Sequence, residues 1–97
     1  MKILALELST ARGSIAALDD DGDPSTALRT CLAREWANDR KHSGLFFDNL
    51  QEVTQKFGIP EMIVVGLGPG SYAGIRIAIS AAIGLQQATG ARLVGLP

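Results

Sequence analysis

Four glycines and a proline fall within the nine residues Gly66 to Gly74, in the run Gly66-Leu67-Gly68-Pro69-Gly70-Ser71-Tyr72-Ala73-Gly74-Ile75-Arg76. The apolar stretch Met62-Ile63-Val64-Val65 leads into it, and a long helical pattern from Ile75 to Ala88 leads out. Glycines at this density serve an unusual backbone path, because glycine alone adopts positive φ freely. A turn between a buried strand and a helix leaves backbone N–H groups bare at the helix N-terminus, with Ser71 placed as N-cap. Such a turn can hold an anion, and it can equally let another stretch of chain come very close.

The familiar phosphate motifs do not fit this block. A P-loop needs Lys and then Ser or Thr after its last glycine, but Ile75 and Arg76 follow Gly74. A dinucleotide fingerprint laid on Gly68 to Ala73 needs an acidic residue about 20 positions on, yet no Asp or Glu follows Glu61. A nucleophile elbow needs glycine two residues before and after the serine, where Ser71 has Pro69 and Ala73. A structural turn and an anion site both remain open on these residues.

Ninety-seven residues with 46% apolar side chains and a mean hydropathy of +0.18 predict one ordered domain with a modest core. No apolar run approaches the roughly 18 residues of a membrane span. Lys2 leads straight into Ile3-Leu4-Ala5-Leu6, which reads as a strand and not as a secretory leader. Cys31 is the single cysteine, so no internal disulfide forms; a reducing cytoplasm and a role as a small buried hydrophobe are expected. A net charge of −1 lends no electrostatic support to direct nucleic-acid binding. Beyond Glu61 only Arg76 and Arg92 are charged, which leaves the last third unusually apolar.

The pattern predicts strands over residues 2–8, 14–18 and 26–36, the first two separated by a turn at Ala11-Arg12-Gly13. The acidic run Asp19 to Asp23 reads as a hairpin turn; it lacks the spacing and terminal Glu of a calcium loop. A helix is predicted from about Ser43 to Phe57, capped by Gly58 with Pro60 beyond. A strand over 62–67, a helix over 72–89 capped by Gly90, and a strand over 92–95 complete a βββαβαβ order. Three sequential strands and two crossovers imply a mixed five-stranded sheet with attached helices, an α/β fold.

Both helices carry a wide apolar surface. Phe46, Leu50, Val53 and Phe57 line one face of the first, widened by Leu45 and Phe47. The second is apolar nearly all round, through Ile75, Ile77, Ala78, Ile79, Ala81, Ala82, Ile83, Leu85 and Ala88. In a two-layer domain a sheet covers only one side of such a helix, so the remainder is expected to be an interface, with Ala78, Ala81, Ala82 and Gly84 admitting a partner helix. Phe46, Leu50, Val53, Ile75, Ile79, Ala82 and Ile83 are the expected partner-facing residues, and the chain is not expected to be a monomer.

Longer stretches resemble a known family. Met1-Lys-Ile-Leu-Ala-Leu-Glu-Leu-Ser-Thr10 resembles the opening I-L-A-x-D-T-S-T of the bacterial TsaB (YeaZ-like) family. Arg34-Glu35-Trp36 with Arg40-Lys41-His42-Ser43 is similar to its lead into the first helix. Gly66 to Arg76 is similar to its block G-x-G-P-G-S-F/Y-T-G-x-R, and Leu93-Val94-Gly95 to the strand after it. The resemblance implies an ASKHA or ribonuclease H-like half-domain over residues 1–97, the family's second domain being absent. It also implies a role in forming threonylcarbamoyladenosine on tRNA, as a non-catalytic subunit in the cytoplasm that docks its two helices on a catalytic TsaD-type partner and is joined by a TsaE-type ATPase. A homodimer is expected when the chain is alone, and tRNA is met only through the complex.

Departures from the family pattern bear on chemistry. Glu7 stands where the family has Asp, Leu8 where it has Thr, Ala73 for Thr, Gly44 for Glu and Ala78 for Gly. TsaD-like relatives bind metal through His-x-x-x-His; here His42 is the only histidine and Phe46 holds the second position, so no metal site is expected. No catalytic residue is expected in this chain. The alternative is a dimeric ASKHA-type enzyme that binds or hydrolyses nucleotide at Glu7, Ser9, Thr10, Gly68, Gly70, Ser71 and Arg76; no tightly bound cofactor is implied, and ATP is at most a weak ligand.

Overall fold

The computed structural model describes residues 1–19, 29–37 and 44–97, and is silent on the side chains of residues 29–31. The acidic turn, the start of the third strand, His42 and the predicted helix start at Ser43 lie outside the described residues, as does the side chain of Cys31. Within them the order is β1 (Lys2–Glu7), β2 (Arg12–Asp19), β3 (Arg29–Ala37), α1 (Leu45–Phe57), β4 (Met62–Gly66), α2 (Tyr72–Thr89) and β5 (Arg92–Leu96). The expected βββαβαβ order is observed. β2 begins earlier than expected, because the supposed turn residues Arg12 and Gly13 pair with Ala37 and Trp36 of β3.

The sheet order is β3-β2-β1-β4-β5. β1 pairs antiparallel with β2 and parallel with β4, and β4 pairs parallel with β5, so the sheet is mixed. Register decides which side chains share a face. Leu4 lies opposite Ala17 and Ile63, and Leu6 opposite Ile15 and Val65. All six are buried in one cluster with Phe46, Leu50 and Val53 of α1 and Ala78 and Ala82 of α2. Both helices therefore cover one face of the sheet, α1 over β2 and β3, α2 over β1, β4 and β5. The alternate positions Ala5, Ala16 and Val64 point to the other face, which no described helix covers.

The helix ends follow the expected chemistry. The Ser71 hydroxyl accepts from the Gly74 N–H at 3.1 Å, capping α2. Gly90 closes α2 in the left-handed region at φ 74°, and the Gly58 N–H donates to the Thr54 carbonyl at 3.0 Å to end α1. Lys2 Nζ donates to the Phe57 carbonyl at 3.0 Å, satisfying a terminal acceptor of α1 from β1.

The partner-facing residues need correction. Phe46, Leu50, Val53 and Ala82 are buried within this chain and cannot meet another protein directly. On α1, Phe46, Leu50 and Val53 form the face packed on β2 and β3; on α2, Gly74, Ala78 and Ala82 recur at every fourth residue and form the stripe that presses on the sheet. Small side chains let the helix come close to its own strands, so two of the alanines expected to admit a partner helix face inward. Ile75 and Ile79 flank that stripe half-buried, and Ile83 is exposed.

α1 is tied to the sheet by charge as well. Glu52 accepts from Arg34 of β3 at 2.8 Å and from Lys56 one turn on at 3.0 Å. The Arg34 hydrogen bond, followed by that of Lys56, holds the Glu52 carboxyl below its ordinary value of 4.5. A carboxyl lowered in the folded state stabilises above its unfolded pKa and loses that contribution as pH falls through the folded one. Glu52→Gln is thus expected to have a lower urea midpoint than wild type at pH 7, with the gap closing as pH drops below 4.5. Parallel urea titrations across that range check it; a gap that stays constant would assign the loss to packing.

Candidate functional site

The glycine block sits where β1 ends, and its glycines are explained by contact. A Cβ on Gly70 would overlap the Ser9 carbonyl oxygen, and one on Gly74 the Leu8 carbonyl oxygen. The Ser71 N–H donates to the Ser9 carbonyl at 2.6 Å. The first turn of α2 is therefore pressed against the backbone leaving β1, a distance only glycine permits. Two N–H groups that an anion would need, those of Ser71 and Gly74, are already engaged within the chain.

Glu7 points to the uncovered face of the sheet. Its Oε1 accepts from the Ser9 N–H at 2.7 Å and from the Ser9 hydroxyl, and Ser9 is buried. Gly66 on β4 leaves room for this longer carboxylate, since a Cβ there would overlap Glu7 Oε2. A hollow of about 310 Å³ lies beside it, lined by Glu7, Ser14, Ala16, Val64, Gly66 and Leu96 among others. Gly68, Gly70 and Ser71 are not part of that lining. Thr10 turns its hydroxyl to the Arg12 carbonyl at 2.8 Å. Arg76 lies elsewhere, on the outer side of α2. The residues expected to bind nucleotide or anion thus divide among a backbone contact, a hollow on the bare sheet face and a separate groove. The physical cause is that the first turn of α2 closes on the backbone after β1, so Gly70 and Gly74 meet the Ser9 and Leu8 carbonyls while Glu7 turns toward Gly66 on the other face of the sheet.

The separate groove is the larger concavity. It measures about 510 Å³ and is lined by Phe47 of α1 and by Ala73, Arg76, Ile77, Ser80 and Ala81 of α2. Phe47 packs edge-on against buried Phe46 at 5.0 Å between centroids, yet remains 56% exposed. Ile77 and Ile83 stay 43% and 41% exposed, and Tyr72 75%. Phe47 and Ile77 are exposed groove residues that the expected partner-facing set did not include. The signal that could have found them is the Gly74-Ala78-Ala82 stripe: once small residues mark the sheet side, the large ones out of phase must face away.

A sequence model described as TsaD, tRNA N6-adenosine threonylcarbamoyltransferase, matches residues 37–97. The chain belongs to this family. Over 98% of its length it is similar to YeaZ from Pseudomonas aeruginosa, with 26% identity and a TM-score of 0.79, and it spans 43% of that chain. A further structure, described as an uncharacterized protein with similarity to peptidase YEAZ from Pseudomonas aeruginosa, has 24% identity and a TM-score of 0.77, with 98% of this chain and 42% of that one covered. Thermus thermophilus RuvC shares the fold at 12% identity and a TM-score of 0.71, over 99% of this chain and 63% of its own. No curated protein matches in sequence. The resemblance to TsaB stated from the glycine block is borne out, as is the ASKHA or ribonuclease H-like α/β fold. The chain spans less than half the length of the YeaZ structures it matches. No helix among the described residues is long and apolar enough to cross a membrane.

Proposed function

We propose that this chain is an interaction subunit of the machinery that forms threonylcarbamoyladenosine on tRNA. It docks the outer face of α2 and the start of α1 on a TsaD-type catalytic subunit. The observation that carries this reading is the groove rimmed by exposed Phe47 and Ile77, with Tyr72 and Ile83 also exposed on α2, on a chain of this family. Fully burying such a side chain stabilises by roughly 1.5–3 kcal/mol, so a few suffice for specific association. Acyl transfer takes place on the partner, a TsaE-type ATPase joins the pair, and tRNA is met through the assembly. A second copy is the weaker occupant of the same face, because α2 against α2 would bring two Arg76 side chains together. The nucleotide-hydrolysing alternative has less behind it, because one oxygen of the Glu7 carboxylate is engaged by Ser9 and, of the glycine block, only Gly66 lines its hollow.

Ile77→Asp tests the docking. An unpaired carboxylate buried in place of an isoleucine is expected to weaken the complex with the TsaD-type protein of the same genome about 100-fold or more. Because Ile77 is exposed, the melting temperature of the isolated chain should hold. Calorimetric titration beside thermal melts reads both, and unchanged affinity would remove the docking surface.

A further inference from the structure

α2 carries one charged side chain in 18 residues, Arg76. Its guanidinium lies over the Tyr72 ring one turn back, 5.8 Å from the centroid. The stack places the exposed cation beside the groove formed with Phe47, Ala73, Ile77, Ser80 and Ala81. No carboxylate among the described residues pairs with it; the described ion pairs engage Asp19, Glu35 and Glu52 with other cations.

A protein that covers this groove strips water from Arg76. An uncompensated charge in such a place is heavily penalised, whereas a planar guanidinium paired with a carboxylate forms two parallel hydrogen bonds. Ser80, the other polar residue of the groove, supplies only a neutral hydroxyl. A second copy packed α2 against α2 offers nothing better, since that helix has no acid and would set two arginines together.

We propose that Arg76 is a specificity-determining residue: the groove takes a helix of a different protein that presents an Asp or Glu to the guanidinium, and this pair sets the register of docking. The inference rests on the docking reading above and names the chemistry of its partner. Apolar contacts with Phe47 and Ile77 tolerate sliding along the groove, and a single bidentate pair does not.

The test uses the TsaD-type protein of the same genome as probe, titrated calorimetrically with wild type, Ile77→Asp, Arg76→Lys and Arg76→Glu, with thermal melts as the folding control. Arg76→Glu is expected to weaken binding about 100-fold and Arg76→Lys about 10-fold. One Asp or Glu changed to Lys on the partner's docking helix should restore most of the loss in Arg76→Glu. Wild-type binding by Arg76→Glu, with Ile77→Asp still defective, overturns the pairing and leaves the docking surface standing. A loss that no single charge reversal on the partner rescues also overturns it, because Arg76 would then face a group other than a carboxylate. If sedimentation shows that Arg76→Glu dissolves only a self-dimer, the occupant is a second copy and the proposal falls. Full binding by Ile77→Asp removes the docking reading and the pair together.

Discussion

Gly74→Ala should lower the stability of this chain by about 2–3 kcal/mol, although helix propensity alone argues for a gain. Gly74 lies in the first turn of α2, and an alanine Cβ there overlaps the Leu8 carbonyl oxygen. A side-chain clash relaxes through a rotamer, but a backbone oxygen at the end of a central strand does not. The helix must lift from β1, which strains the Ser71 to Ser9 hydrogen bond and opens the seam lined by Ala78 and Ala82. Gly84→Ala is the matched control. It lies on the exposed side of the same helix with open space around its Cβ, and should stabilise by about 0.5–1 kcal/mol. Urea midpoints of the two variants should therefore move in opposite directions. Movement in the same direction would show that the close approach of α2 to β1 is not what the glycine serves.

Phe46→Ala should cost about 3–5 kcal/mol of folding stability whether or not a partner is present. Phe46 is buried against Trp36, with ring centroids 6.3 Å apart, and fills the core between α1 and the sheet. For a small domain with total stability of roughly 5–15 kcal/mol, that loss leaves little margin. Its neighbour is the informative contrast. Phe47→Ser changes an exposed ring and should shift the urea midpoint little, while weakening association with the partner. Denaturant unfolding of both variants separates core from docking face at adjacent positions. Equal stability loss at the two residues would erase that distinction.

The docking reading now stands on a smaller and differently placed surface than the helical patterns suggested. The apolar excess of α1 is largely sealed beneath it, and what remains gathers around Phe47, Ile77 and Ile83. These exposed residues lie toward the outer flank of α2, where Arg76 also lines the groove. The glycine block, which looked equally suited to an anion, is accounted for by a strand-to-helix junction closed on the chain's own backbone.

The order of strands and helices, the caps at Ser71, Gly58 and Gly90, and the misfit to known phosphate loops were legible in the chain itself. Each depends on residues within a few positions of one another, where glycine, proline, serine and apolar spacing act locally. Which apolar residues end up inside was not legible for the helices. Periodicity marks Ile77 and Ala78 alike as apolar, and only the distance between α2 and the sheet decides that alanine turns in and isoleucine out. The same holds for Glu7, Gly66 and Ser9, which are brought together by the register of β1 against β4 and the turn after it. Local chemistry set the elements; sheet register and the close approach of α2, properties of pairs of segments far apart in the chain, chose which apolar side chains stay exposed.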